Sequence, residues 1–308
     1  MKITCELGLT ERERARLDLH SFLNVLTILH EELAAVRLDL GQSQALAETS
    51  KLVEAALAAV HAGSMDTEGA LQLLSINFYF SREVELAISQ TLERRPGVDE
   101  TLANVSSILN VLAVRLHEYF ERRRTGLNWI PHPIDRLTAN FHKFFAAVEK
   151  NSHGRYHIVF NATDKGPNDY LVHLKIAGPN LSHHLLMPAV MQDVFRDLIA
   201  NARKYTHPGG KITASLVQGG GTLNLVVEDN GSGIVPEDIE HTVEFGFRSA
   251  ATRSVGTKGG GFGLTKAYAI TRELGGAMDI ESEIGKGTRI SISIPVPSAT
   301  GTLAATQA

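Results

Sequence analysis

The chain has 308 residues, 43% apolar and 21% charged, with a formal net charge of −4. That length supports two domains with separate cores, and the lack of a basic excess argues against broad nucleic-acid binding, since no surplus of Lys and Arg is available to neutralise phosphates. The single cysteine, Cys5, can form no internal disulfide and suits a reducing compartment. Met1 to Arg16 carries charges with no apolar stretch after it, unlike a signal peptide, and no run approaches the ~18 apolar residues of a membrane-spanning helix. The expectation is a cytoplasmic protein with no membrane span.

Composition changes near residue 150. Upstream, glycine and proline are sparse and the apolar spacing is helical. A first helix is expected from Thr10 to Leu40, ended by Gly41. At roughly 100° per residue, Leu19, Phe22, Leu23, Leu26, Leu29 and Leu33 form one stripe. His20, Asn24 and Thr27 fall together on a different, polar face. Shorter helical segments follow, broken near Gly41, Gly63 and Pro96-Gly97. A second long helix is expected from Val98 to Arg124, where Leu102, Val105, Leu109, Leu112, Leu116 and Tyr119 recur at alternating spacings of three and four. That is the seam of a coiled coil or bundle, and it predicts a homodimer unless the intervening helices fill it. Arg122, Arg123 and Arg124 at its end read as a solvated cluster compatible with the helix dipole. A proline-rich connection, Trp129 to Ile134, leads into a helix over Asp135 to Glu149.

Downstream, glycine clusters punctuate short alternating segments, the pattern of an α+β domain. Strands are expected near 155–161, 170–177, 211–217, 222–229, 277–282 and 288–294, with helices over 188–205 and 262–274. Gly219, Gly220 and Gly221 mark a hairpin between the third and fourth strands. The tail after Pro297 is small and polar, and is expected to be disordered.

Three segments carry chemistry. In Asp193 to Thr206 (DVFRDLIANARKYT), helical spacing puts Asp197, Asn201 and Lys204 or Tyr205 on one face. The Asn201 amide oxygen is a hard ligand suited to Mg²⁺ shared with phosphates, and Lys204 could meet phosphate as a point charge. In Val227 to Ile234 (VEDNGSGI), Asp229 ends a strand, and Gly231 and Gly233 let a planar ligand approach the backbone. A carboxylate there accepts from an exocyclic amino group, which favours adenine over guanine. In Gly256 to Lys266 (GTKGGGFGLTK), glycines precede a helix start whose free N–H groups suit phosphate. Each segment alone also fits an ordinary surface helix, turn or flexible loop.

In this order and spacing the three resemble the N box and the two glycine boxes of the GHKL ATPase superfamily. Asn201 to Thr206, Gly261 to Leu264 and Glu281 to Thr288 (ESEIGKGT) are similar to sensor histidine kinases in particular. The resemblance implies an α/β-sandwich ATP-binding domain over 150–296, with Mg-ATP under a lid near 246–260. It implies that Asn201 binds Mg²⁺ and Asp229 reads adenine. Gly231, Gly233, Gly259, Gly261 and Gly263 would shape the cradle, and Lys204, Tyr205, Phe247, Leu264 and Thr288 would complete the nucleotide's contacts. Glu244 to Phe247 (EFGF) is similar to the family's F box, although Val243 stands where its first phenylalanine usually does.

Such a kinase needs an acceptor imidazole. His30 faces the apolar side of its helix, His183 and His184 lack helical metal-ligand spacing, and His61 and His117 have no supporting context. His20 to Leu26 (HSFLNVL) resembles the H box, with Asn24 suited to orienting water in dephosphorylation. Ser21 replaces the acidic residue that usually follows the histidine, and losing a positioned base costs ~10²–10⁴ in rate. A histidine of ordinary pKa, ~6.5, is still about three-quarters neutral at pH 7 and therefore nucleophilic. Leu127 to Asp135 (LNWIPHPID) is similar to the linker between the histidine hairpin and the ATP domain.

The expected architecture is therefore α+β. A helical dimerisation and phosphotransfer domain occupies 1–149, with extra helices inserted at 41–97, followed by the ATP domain and its tail, 297–308. The expected activity is histidine autophosphorylation at His20, assisted by Asn24 and Asp197, and transfer to a response-regulator receiver aspartate. A GHKL serine kinase resembling the mitochondrial dehydrogenase kinases, which also place an acid four residues before the asparagine, is one alternative. A non-catalytic docking protein is the other.

Overall fold

The computed structural model describes residues 1–40, 45–64, 67–89, 97–150, 152, 154–249 and 261–297. The chain divides into two compact units, one of Leu9–Phe120 and one of Met1–Gly8 with Glu121–Ala308. The architecture is α+β, a helical N-terminal unit followed by a sheet unit.

The helical unit contains α1 (Glu11–Asp39), α2 (Ala47–Ala62), α3 (Thr67–Ser89) and most of α4 (Val98–Thr125). A capping box starts α1. Thr10 Oγ1 accepts from the Glu13 amide at 3.2 Å while the Glu13 carboxylate accepts from the Thr10 amide at 2.8 Å, which satisfies donors that a helix start leaves open. The start of α2 borrows its cap from α3: Glu83 accepts from the backbone amides of Glu48 and Thr49 at 2.9 and 3.0 Å and from the Thr49 hydroxyl at 2.6 Å. Gly63 ends α2 in the left-handed region, φ +68, where glycine carries no Cβ penalty.

All four helices share one core. Phe22, Leu26, Leu29 and Leu33 of α1 join Val53 of α2, Ile76 and Phe80 of α3, and Val105, Leu112 and Leu116 of α4. Phe22 meets Tyr119 edge to face at 5.4 Å, and Thr101 of α4 donates to Asp39 of α1 at 3.0 Å. The seam from Val105 to Tyr119 is thus buried within this chain, covered by helices from the segment between α1 and α4. The seam alone therefore no longer calls for a second copy.

The other unit adds β1 (Ile130–Pro133), α5 (Ile134–Lys150), β2 (Ile158–Val159), β3 (Tyr170–Ala177), β4 (His184–Met187), α6 (Val190–Tyr205), β5 (Lys211–Gly219), β6 (Thr222–Asp229), α7 (Gly263–Glu273), β7 (Ala277–Glu283) and β8 (Gly287–Pro295). The six-stranded sheet runs β2-β3-β5-β6-β8-β7, with β2-β3 and β3-β5 parallel and the remaining pairs antiparallel. Alternation along β5 and β6 buries Ile212, Ala214, Leu216, Leu223, Leu225 and Val227, so one sheet face is apolar. Onto that core pack Phe141 and Phe145 of α5, Phe195 and Leu198 of α6, and Ala267 and Tyr268 of α7. This explains why α5 groups with the sheet rather than with the helices before it.

Two features escaped the sequence reading. Strands β1 and β4 pair antiparallel, Ile130 opposite Met187, although both are short and β1 contains two prolines. The first residues also extend the sheet edge: the Met1 amino group donates to the Ile280 carbonyl at 2.7 Å, and the Ile3 amide to the Met278 carbonyl at 2.9 Å. Among the described residues no helix is long and apolar enough to cross a membrane.

Candidate nucleotide site

The site lies where α6, the end of β6, the start of α7 and the β7–β8 turn come together. Asp229 is the last residue of β6, held between Ile212 of β5 and Thr288 of β8. Its Oδ1 accepts from the Gly231 amide at 2.8 Å. Burial pushes its carboxyl above the usual carboxylate range, against hydrogen bonds from the Gly231 and Thr288 amides and the Thr206 hydroxyl that pull it down; the neighbouring Glu228 charge adds a small upward push. A carboxylate kept only half exposed in this way is short of water and suited to a ligand donor.

The loop after β6 has no room for side chains. A Cβ at Gly231 would strike the Tyr205 carbonyl and stand 2.8 Å from Asp229 Oδ1. Gly233, at φ +72, would strike the Glu283 carbonyl. Backbone bonds fix this arrangement: the Ser232 amide donates to the Tyr205 carbonyl at 3.0 Å, and the Gly285 amide to the Ser232 carbonyl at 2.9 Å. Ser282 accepts from the Ile234 amide at 2.8 Å, and its hydroxyl lies 2.9 Å from that of Thr288. The loop is thereby tied both to the end of α6 and to the β7–β8 turn.

Asn201 lies on α6 one turn after Asp197, and both face the start of α7. A Cβ at Gly263 would sit 3.4 Å from Asn201 Nδ2 and 3.5 Å from Asp197 Cβ. Gly261 has φ +73 and approaches the Phe247 carbonyl. Phe262 stacks at 4.7 Å on Phe245, and Thr265 donates to the Glu244 carbonyl at 3.0 Å. Val243 is fully buried, so the segment before α7 is anchored without a phenylalanine there. Lys204 Nζ lies 4.9 Å over the Tyr205 ring, and Leu264 packs against the sheet core. Gly259 and most of the expected lid lie outside the described residues.

A charge cluster that the sequence reading missed underlies this wall. Asp193 and Lys266, each 2% exposed, pair at 3.3 Å. Asp193 also meets Arg196 at 2.7 Å and Arg122 at 3.1 Å. Lys266 stands 3.6 Å from Asp197 Oδ2, an oxygen that receives no hydrogen bond. Arg122 is therefore not part of a solvated cluster: its side chain is 10% exposed and serves Asp193. The signal available in sequence was a lysine at a position where α7 should turn an apolar side inward. Lys266→Met should leave Asp197 as a poorly balanced buried charge, which costs about 3–5 kcal/mol. Chemical denaturation of the two proteins would measure that loss, and an unchanged midpoint would contradict the balancing role.

A match to the family described as "Histidine kinase-, DNA gyrase B-, and HSP90-like ATPase" covers residues 188–298. The match takes in α6, β5, β6, α7, β7 and β8, the elements that build the site. Sensor protein SrrB of Staphylococcus aureus (strain NCTC 8325 / PS 47) is 36% identical over 107 residues, which is 35% of this chain and 18% of SrrB. The chain thus matches less than a fifth of the length of the curated relatives it is similar to. Among solved structures, the catalytic domain of the histidine kinase ThkA aligns with TM-score 0.40 at 18% identity, over 55% of this chain and 96% of that one. A histidine kinase domain from Erythrobacter litoralis, of a blue-light activated kinase, aligns with TM-score 0.36 at 16% identity, over 88% and 94%.

In the helical unit, the structure alters one expectation. His20 is 6% exposed, although it lies off the leucine stripe. Leu17, on the same side, is also buried at 4%. Asn24 is exposed, and Thr27 turns its hydroxyl back to the Leu23 carbonyl at 2.7 Å. The expected open polar face therefore begins at Asn24 and leaves His20 covered. His61 and His117 are exposed.

Proposed function

We propose that the chain is an ATP-dependent histidine kinase that phosphorylates its own helical unit and passes the phosphoryl group to a response-regulator receiver aspartate. The observation that carries this reading is the convergence of Asp229, the glycine-lined loop after β6, and the Asn201 face against Gly263. The residues fit Mg-ATP. A half-buried carboxylate would take the adenine amino group, and the lack of a Cβ at Gly231 and Gly263 lets the loop after β6 and the start of α7 close against α6. Among the described residues no group of three His, Cys, Asp or Glu side chains could hold a metal. A Mg²⁺ at Asn201 would therefore draw its other oxygens from phosphates and water, as that ion commonly does.

When bound, Mg-ATP supplies the transferable phosphoryl group. The chain's own residues do the rest. Asp229 would accept from the base, and Gly231 and Gly233 let the loop that follows it close on the Tyr205 and Glu283 carbonyls. Asn201 would offer its amide oxygen beside the start of α7, where a helix N-terminus suits phosphate. Asp197, turned toward Lys266, holds that face in place rather than acting as a proton acceptor. Lys204, Tyr205, Phe247, Leu264 and Thr288 frame the pocket.

Incubation with γ-labelled ATP followed by acid or alkali tests the acceptor chemistry. Acid-labile, base-stable label is expected. Label with the opposite stability would favour the serine-kinase reading. No label with nucleotide still bound would favour a docking protein, for which Ser21 is the supporting observation.

A further inference from the structure

We infer that residues 2–7 form a clamp that sets α7 in place at the nucleotide site, with Tyr268 as the positioning residue it grips. The inference rests on the nucleotide reading above and adds to that site a segment distant in sequence. β7 stands last in the order of the six-stranded sheet, so one of its sides has no sheet strand beside it. The segment fills that side. The Ile3 amide donates to the Met278 carbonyl and the Ile280 amide to the Met1 carbonyl, each at 2.9 Å. Ile3 is 2% exposed, and Cys5 and Leu7 pack against the sheet core, while Lys2, Thr4 and Glu6 are exposed. Burying alternate side chains gives the segment a fixed register on the edge it covers.

The second contact is with α7. Tyr268 is fully buried. Its hydroxyl donates to the Cys5 carbonyl at 2.8 Å, with the Ile3 carbonyl 3.3 Å away. Both acceptors belong to the segment, and a buried hydroxyl that loses its acceptor is costly. At about 100° per residue, Tyr268 and Lys266 lie on opposite sides of α7. Lys266 ties one side to Asp193 of α6, and Tyr268 ties the other to the clamp. Held on both sides, α7 cannot roll about its axis. Its rotation decides where Gly263 stands against Asn201 and Asp197, and therefore where the helix start faces the nucleotide.

Docking of the segment and binding of Mg-ATP thus favour the same placement of α7. By linkage, each strengthens the other by the same factor.

Cys5, the single cysteine, reports on the clamp. Burial, ahead of the Glu240 charge, pushes its thiol above the ordinary value. The thiolate is the reactive form, so N-ethylmaleimide should label Cys5 slowly while the segment is docked. Saturating Mg-ATP should slow that labelling by about 2- to 10-fold, the scale of one net hydrogen bond. Calorimetry should show Ile3→Asp, which undocks the segment, weakening Mg-ATP binding by a similar factor. Tyr268→Phe keeps the ring in the core and removes only the hydroxyl. It should bind Mg-ATP more weakly and show less slowing at saturation. A merely structural hydroxyl would lower the melting temperature and leave the affinity at the wild-type value, which overturns the inference. Slowing that stays undiminished in Tyr268→Phe means that nucleotide shields Cys5 directly, and overturns it too. A wild type that binds no ATP overturns the nucleotide reading and the clamp's role with it. A wild type that binds ATP with Cys5 labelling unchanged overturns the clamp alone.

Discussion

Asp229→Asn is expected to weaken ATP binding by two orders of magnitude or more, while the empty protein melts no lower than the wild type. The affinity loss follows from the donor and acceptor inventory. The carboxylate already accepts from the Gly231 amide at 2.8 Å; an asparagine that keeps this bond turns its NH₂ toward the adenine amino group, donor against donor. A hydrogen bond to a charged group is worth ~1.5–3 kcal/mol and an unmatched buried donor costs a further ~1–3, and 2.7 kcal/mol is about 100-fold. The stability effect runs the other way. Burial raises the Asp229 carboxyl pKa, so the fold favours the protonated form. The stability this group contributes is full below the unfolded carboxyl value, ~3.9, and is lost as pH rises through the raised folded value. At pH 7 the charged form therefore burdens the empty domain, and asparagine removes that burden. Melting the two proteins from pH 4 to 8 should show the variant's advantage growing with pH. Calorimetry should show ATP binding lost. Asn201→Ala should weaken binding chiefly when Mg²⁺ is present. Unchanged Mg-ATP affinity in both variants would remove the site assignment.

The legible parts of this molecule were those where chemistry constrains sequence locally. The helix starting at Thr10 was visible because its leucines recur at helical spacing, and β5 and β6 because alternating apolar residues flank three glycines. Gly231, Gly233, Gly261 and Gly263 stood out by their spacing, and at the first three the backbone leaves no room for a side chain. What stayed hidden depends on partners distant in sequence. β1 and β4 have no strong strand pattern of their own and exist through each other. Residues 1–8 show no fold preference until the β7 edge offers them backbone partners. The buried charges Asp193, Lys266 and Arg122 come from three different helices, and each alone resembles a surface residue. The seam of α4 was legible as a seam, but a periodicity does not say whose side chains fill it.

His20→Ala is expected to eliminate acid-labile label without weakening ATP binding, and Ser21→Glu to speed labelling by up to ~10²–10⁴, the range a positioned base can give. The structure makes both tests more demanding than the sequence did. His20 is 6% exposed, so its ring must be uncovered before it can attack a phosphoryl group, and slow labelling has two possible causes. They separate by rate. If Ser21→Glu accelerates labelling, proton removal limits the wild type. If it does not, but a receiver domain does, uncovering the ring is the limiting step, since a ligand shifts an equilibrium only by binding one conformation better. His61 and His117 supply the control, because both are exposed and need no such opening. Label that survives His20→Ala but disappears in His61→Ala or His117→Ala would move the acceptor to α2 or α4. Absence of label in the wild type and in Ser21→Glu, with and without a receiver domain, would leave an ATP-binding domain joined to a docking bundle.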